Sequence, residues 1–109
     1  MSEQLYIGVD LGGTSIKAGL IDAQGSLLAA QEGPTRPEDG WEAGLDRVVQ
    51  LIREMMEQAS VAWNQVSGLG AGIAGFLDIP NGSIRFSNNL GWRDVPVKRV
   101  LEQKLGVAV

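Results

Sequence analysis

Apolar and polar positions in the first third of the chain form three short runs separated by turns. Leu5–Leu11, Lys17–Asp22 and Ser26–Glu32 have the apolar, often β-branched character of strands, and the first is apolar enough for burial on both faces. The connections between them are short, and one of them, Asp22–Gly25, has turn composition. Short connections join antiparallel strands, so the pattern predicts a three-stranded meander.

Helical spacing begins after a proline-containing loop. Apolar residues recur three and four positions apart from Leu45 to Ala59, while charged residues lie mostly on the other faces. Asp39, followed three positions later by Glu42, is a candidate capping pair for this helix. Val66–Ile73 then resembles a buried strand, and a helix between two strands predicts a right-handed crossover with parallel pairing to the first strand.

A tight-turn signal, Asn81-Gly82, separates Phe76–Ile79 from Ile84–Phe86 and predicts a small hairpin. Asp78 is expected to stabilise this turn.

The end of the chain predicts a second helix and a further strand. Pro96 suits the first turn of the helix and Gly106 suits its C-terminal cap. Val107–Val109 begins another strand, and because the chain stops inside it, we expect a piece of a longer protein. The element order is βββ-α-β-hairpin-α-β, which predicts an α/β domain with a mixed sheet.

Composition restricts the chemistry of these 109 residues. The net charge is −4 and no basic run occurs, so we expect neither a nucleic-acid nor an anionic membrane surface. The sequence has no cysteine and no histidine, which removes thiol nucleophiles, imidazole bases and most zinc sites. It shows no signal peptide and no membrane-spanning run, and its cysteine usage is compatible with a reducing cytoplasm.

The segment after the first strand is the strongest candidate site. A carboxylate at the end of a buried strand, Asp10, is costly unless it is paired or binds a metal. The following residues offer backbone N–H groups with no Cβ in the way, hydroxyl donors and a cation: Gly12, Gly13, Thr14, Ser15 and Lys17. A carboxylate beside such a turn suits Mg²⁺ and a polyphosphate together. A plain hairpin, with Asp10 capping its own turn, explains the glycines equally well.

A second glycine-rich segment, Gly70–Gly75, matches the dinucleotide pattern G-x-G-x-x-G. That pattern must open a helix, because the pyrophosphate binds at the helix N-terminus. The residues that follow include Pro80 and Asn81-Gly82 and predict no helix. We therefore do not expect a nicotinamide cofactor here.

Three segments in order carry a family resemblance: DLGGTSIK at 10–17, GAGIAGFLD at 70–78 and NLGW at 89–92. The first is similar to the first phosphate motif of the actin, sugar kinase and heat-shock ATPase superfamily. The second and third are similar to the segments G-x-G-x-P-G-x-V-D and N-L-x-W of the ROK family, which comprises bacterial sugar kinases, glucokinase above all, and related repressors. Order and spacing agree from residue 6 to residue 109.

The resemblance implies a ribonuclease H-like or actin-like ATPase domain with a mixed five-stranded sheet, three antiparallel strands being followed by parallel ones. Residues 1–109 would be the N-terminal lobe of a two-domain hexose kinase, with the second lobe absent from the chain. ATP and Mg²⁺ are implied, the metal near Asp10 and phosphate at Gly12, Gly13, Thr14, Ser15 and Lys17. The sugar, glucose being the first expectation, would meet Gly75, Phe76 and Asn89. Trp92 is expected to anchor its loop to the core.

Two positions depart from the family pattern: Ala74 replaces a usual proline, and Ser15 replaces a common lysine or asparagine. The family's catalytic aspartate lies in a motif E-N-D-A-N beyond Val109, and its zinc segment lies further on. We therefore expect no catalytic residue in this chain and no activity from it alone. The parent is expected to be a cytoplasmic homo-oligomer. A sugar-sensing repressor of the same family and a non-catalytic domain remain alternatives.

Overall fold

The computed structural model describes residues 4–73 and 75–109, and it forms a mixed α/β fold. The strands are β1 Leu5–Leu11, β2 Ser15–Asp22, β3 Leu27–Pro34, β4 Val66–Ile73, β5 Phe76–Asp78, β6 Ser83–Ser87 and β7 Trp92–Val95. The helices are α1 Trp41–Ala59 and α2 Val97–Leu105, with short 3-10 turns at Pro37–Asp39 and Trp63–Gln65. No helix in the described ranges is both long and apolar enough to cross a membrane.

The central sheet has the strand order β3-β2-β1-β4. β1 pairs antiparallel with β2, and β2 pairs antiparallel with β3, which confirms the predicted meander. β4 pairs parallel with β1 after the α1 crossover, as the helix between two strands predicted. The chain therefore has the predicted mixed sheet, and the two parallel strands end at the same edge.

Burial in β1 alternates along the strand. Ile7 and Val9 are buried, whereas Tyr6 is 41% exposed and Asp10 is exposed. The prediction of a strand buried on both faces is wrong, because α1 packs on one face of the sheet and period-2 side chains reach both faces. The face opposite α1 therefore carries Tyr6 and Asp10.

Helix α1 supplies one side of the core. Six positions of its predicted apolar stripe are buried: Leu45, Val48, Val49, Ile52, Met55 and Met56. Ala59, the last predicted position, is half-buried, and Leu51, which was not predicted, is buried as well. The predicted cap at Asp39 is wrong, since the N-cap is Gly40 and no side chain caps the helix. Asp39 instead ends the preceding 3-10 turn, and its carboxylate pairs with the Arg47 guanidinium.

β5, β6 and β7 form a second, three-stranded antiparallel sheet. The predicted hairpin is confirmed: Asp78 accepts hydrogen bonds from the Asn81 backbone N–H at 3.4 Å and its side-chain amide at 2.8 Å. β7 was not predicted. It pairs with β6 through contacts such as Ile84 opposite Val95.

The predicted fifth strand of the central sheet, Val107–Val109, is not formed among the described residues, where that sheet has four strands. One interaction typical of a strand is present: the Leu69 N–H donates to the Ala108 carbonyl at 2.8 Å. One backbone hydrogen bond does not make a β-ladder, so this segment lies beside β4 without forming a strand. The second helix and its cap at Gly106 are confirmed.

Trp92 joins the second sheet to α1. It is 4% exposed, and its indole Nε1–H donates to the Pro37 carbonyl at 3.2 Å. The ring also lies against Gly44 in the first turns of α1, where an added Cβ would be 2.4 Å from the indole Cη2. Trp92 is therefore the predicted loop anchor, and Gly44 is the residue that admits it.

Gly44→Ala is expected to lower the free energy of unfolding by about 1 kcal/mol or more, despite the better helix propensity of alanine. The new methyl would overlap a ring whose position is fixed by the bond to Pro37. Thermal or urea unfolding of the two proteins measures the difference.

The matched control is the same change in a Trp92→Phe background, where the smaller ring does not reach the methyl. Gly44→Ala should then cost less than it does in the wild type. Strict additivity of the two substitutions would show that the indole contact does not set the cost.

Candidate functional site

The glycine turn lies where β1 ends and β2 begins, beside the C-terminal end of the parallel strand β4. The Gly12 N–H donates to the Ser15 carbonyl at 3.0 Å and closes the turn. A Cβ added at Gly12 would lie 3.1 Å from that same carbonyl oxygen. The turn is therefore tight, and Thr14 at its tip is exposed.

Asp10 and Lys17 face solvent beside this turn. They are directly opposite each other in the β1–β2 register, and Lys17 is also opposite Glu32 on β3. Both Asp10 and Lys17 are exposed, so the argument that burial makes the Asp10 carboxylate costly is wrong. The pair instead places one carboxylate and one ammonium-bearing side chain on the open face beside the turn.

Asn89 meets the glycine turn from the other side. A Cβ added at Gly13 would lie 2.8 Å from the Asn89 carbonyl oxygen and 3.3 Å from the Asn89 Cβ. The backbone of residues 12–15 and the loop after β6 are therefore in close contact. Asn89 is exposed, so its amide is accessible beside the turn.

Ser87 shapes the loop that carries Asn89. Its side chain is buried, its Oγ accepts from the Leu90 N–H at 3.3 Å, and its carbonyl accepts from the Gly91 N–H at 2.8 Å. These two bonds turn the chain back directly after β6. Both bonds run from Ser87 to residues beyond Asn89, so Asn89 lies inside the turn that they close.

Gly75 approaches the same end of β6. Its φ is 148°, and an added Cβ would lie 2.6 Å from the Phe86 carbonyl oxygen and 3.1 Å from the Ser87 Cα. Only glycine combines this backbone angle with this approach. Ala74 and the side chain of Phe76 lie outside the described residues.

The structure thus brings together the residues named from the first and third segments. The turn with Asp10 and Lys17, and the loop with Asn89, lie against each other, while Gly75 contacts the strand that leads into that loop. Residues 70–73 lie inside β4 and β5 follows, so the described residues after this glycine segment form a strand rather than a helix, as its sequence predicted.

Thr35 was missed by sequence reasoning. It is fully buried, its Oγ1 donates to the Gly12 carbonyl at 2.6 Å, and its N–H donates to the Thr14 carbonyl at 3.0 Å. A threonine after Pro34 in a loop carries no local signal for this role. Its importance comes from a contact with a turn far away in the sequence.

The residues beside the turn are of types that bind phosphate oxygens and a divalent cation. Within the described ranges, no group of three or more acidic side chains comes together to hold a metal ion. A Mg²⁺ ion beside Asp10 would therefore need waters and phosphate oxygens for most of its ligands. That division of ligands is usual for Mg²⁺ with nucleotides.

The mixed sheet, its crossover helix and the glycine turn give the chain an actin-like ATPase fold, shared with solved ROK sugar kinases. The chain belongs to the ROK family, because the sequence model of that family matches residues 6–109.

Individual relatives support this assignment. A glucokinase from Halalkalibacterium halodurans is 31% identical over 109 residues, covering 100% of this chain and 33% of that protein. The crystal structure of a ROK family glucokinase from Streptomyces griseus in complex with glucose and AMPPNP has a TM-score of 0.84 and 33% identity, covering 96% of this chain and 31% of that one.

Transcriptional regulators are also related. A putative xylose repressor from Caldicellulosiruptor sp. is 28% identical over 105 residues, covering 96% of this chain and 26% of that protein. The chain spans about a third of the length of the curated glucokinases it matches.

Proposed function

We propose that this chain is the N-terminal lobe of an ATP-dependent hexose kinase of glucokinase type. The observation that carries the proposal is the contact between Gly13 and Asn89, because it sets the candidate phosphate turn directly against the candidate sugar loop. Phosphoryl transfer needs the donor phosphate and the acceptor hydroxyl side by side. Glucose is the proposed acceptor, and the Streptomyces griseus relative was solved with glucose and an ATP analogue.

The residues of the turn would bind the ATP phosphates. Backbone N–H groups of Gly13 and Ser15 and the hydroxyl of Thr14 suit an anion, and the Lys17 side chain adds a positive charge on the same face. Asp10 would hold Mg²⁺ through water. When bound, the metal neutralises phosphate charge and orients the transferring group.

The sugar would bind where the Asn89 loop approaches the turn. The exposed Asn89 amide offers both a donor and an acceptor for sugar hydroxyls. Gly75, which has no Cβ, packs closely against the end of β6 that leads into this loop, and the backbone of Phe76 continues from it in β5. No residue of this chain is assigned as the general base. We place that residue on the remainder of a longer protein, which would close over the nucleotide.

Repressor relatives support a second candidate, a sugar-sensing regulator. Such a protein would use the same lobe to bind a sugar without phosphoryl transfer. The two candidates differ in whether sugar binding leads to ADP formation.

A coupled ADP assay tests the proposal with the 109-residue lobe and with the two-lobe protein that contains it. We expect glucose-dependent ADP formation from the two-lobe protein and none above background from the lobe alone, since the proposed second lobe would supply half of the cleft. Sugar binding by the two-lobe protein without ADP formation would favour the regulator. Turnover by the lobe that survives further purification would refute the division into two lobes.

The cytoplasm, where both ATP and free hexoses occur, is the proposed location.

A further inference from the structure

Thr35 ties both halves of the glycine turn to the end of β3. Its Oγ1 donates to the Gly12 carbonyl at 2.6 Å, and its backbone N–H donates to the Thr14 carbonyl at 3.0 Å. Thr35 is fully buried, so water molecules cannot replace either of these hydrogen bonds. Two of the carbonyl groups of the turn therefore point at one residue.

The direction of these carbonyls fixes the direction of the neighbouring N–H groups. A trans peptide is planar, with its C=O and N–H antiparallel, and the described residues contain no cis peptide. Because the Gly12 carbonyl points toward Thr35, the Gly13 N–H points away from it. The same relation makes the Ser15 N–H point away from Thr35.

Thr35 is itself held from α1. The Arg47 Nη1 donates to the Thr35 carbonyl at 2.9 Å and to the Arg36 carbonyl at 3.1 Å. The other end of the same guanidinium pairs with the Asp39 carboxylate. A planar guanidinium with several fixed donors orients such a loop better than a single charge does. Thr35 thus transmits the position of a core helix to the turn.

We propose that Thr35 is a positioning residue for nucleotide binding: it aims the N–H groups of the glycine turn at the phosphates by holding the carbonyls of Gly12 and Thr14. The inference rests on the proposed function, because it takes this turn as the phosphate site. Thr35 acts through the turn and does not touch the ligand.

The test compares Thr35→Val, which keeps the shape and removes the donor, with Thr35→Ser, which keeps the hydroxyl. In the two-lobe kinase, Thr35→Val should raise the KM for ATP roughly tenfold and leave the KM for glucose within about twofold. Thr35→Ser should restore the ATP value to near that of the wild type. A fall in kcat with both KM values unchanged would mean only a smaller folded fraction, and would overturn the proposal.

Ile52→Val in the core of α1 controls for lost stability. If it raises the KM for ATP as Thr35→Val does, positioning is not the cause. Where Thr35→Val fails to fold, Arg47→Lys replaces it, since lysine cannot make the paired contacts to the loop carbonyls. That variant should raise the KM for ATP about threefold, and an unchanged value would count against the proposal.

A measurement on the 109-residue chain separates this inference from the kinase assignment. In ¹⁵N-resolved NMR spectra, Thr35→Val should move the amide signals of Gly13 and Ser15, whereas Thr35→Ser should leave them in place. Unmoved signals overturn the positioning role even if the two-lobe protein is a kinase. Moved signals together with no ADP formation from any hexose would reject the proposed function and keep the structural role.

Discussion

Replacing Asp10 with asparagine is expected to lower kcat/KM for hexose phosphorylation by the two-lobe protein on the order of a hundredfold or more, because a metal that neutralises phosphate charge contributes several kcal/mol. Asp10 is exposed and lies at the end of β1, directly opposite Lys17. Asparagine has nearly the same shape but no charge, so it would hold a hydrated cation poorly. Steady-state kinetics at varied Mg²⁺ concentration measure the effect, and a partial recovery at high Mg²⁺ is expected.

The fold should tolerate this change. An exposed cross-strand pair of opposite charges contributes less than about 1 kcal/mol, so the free energy of unfolding should change little. Glu32→Gln is the matched control, because Glu32 is exposed on β3 and faces Lys17 from the other side. It removes the same charge from the same open face and should leave the rate intact. If both variants behave alike, or if Asp10→Asn alters stability alone, the turn is a plain hairpin.

The elements set by local pattern were predictable from the sequence. β1 and β4 were predicted with the bounds that the structure gives them, and the apolar stripe of α1 followed from its spacing. β7 was missed because two of its four residues, Arg93 and Asp94, are polar, and Asp94 has a φ of 54°. Pairing with β6 rather than any preference of its own makes this segment a strand.

Burial was harder to predict than strand position. The apolar run around Val9 suggested two covered faces, but a run of this kind does not reveal how many layers pack on a sheet. Asp10 is therefore exposed rather than buried. Asp10 is a metal-binding candidate because it lies beside the turn, and not because burial makes its charge costly.

The contacts that build the candidate site join distant parts of the sequence. Thr35 and Gly12 are 23 residues apart, and the Gly13–Asn89 contact spans most of the chain. No spacing rule reaches so far. Asn89 was predicted as a site residue only from the family resemblance. Thr35 lies outside the motifs that carry this resemblance, and its role was not predicted.

Gly13→Ala is expected to weaken the use of both substrates by the two-lobe protein. Its Cβ would lie 2.8 Å from the Asn89 carbonyl oxygen, and because this is a backbone atom, the turn or the loop must move. Overpacking of this kind costs about 1–3 kcal/mol, which corresponds to a loss in kcat/KM of roughly five- to 160-fold. The displacement acts on the candidate phosphate turn and the candidate sugar loop together, so the KM values for ATP and glucose should both rise.

Gly70→Ala is the matched control for this prediction. It makes the same chemical change in β4, where an added Cβ meets nothing within 4 Å and the backbone angle suits any residue. Its kinetic constants should equal those of the wild type, and its free energy of unfolding should not decrease. Asn89→Ala provides the comparison for the sugar side, because loss of the amide should raise the KM for glucose roughly tenfold while the KM for ATP stays nearly constant. If Gly13→Ala raises the KM for ATP alone, its contact with Asn89 does not link the two sites, and the observation on which the kinase proposal rests loses its force.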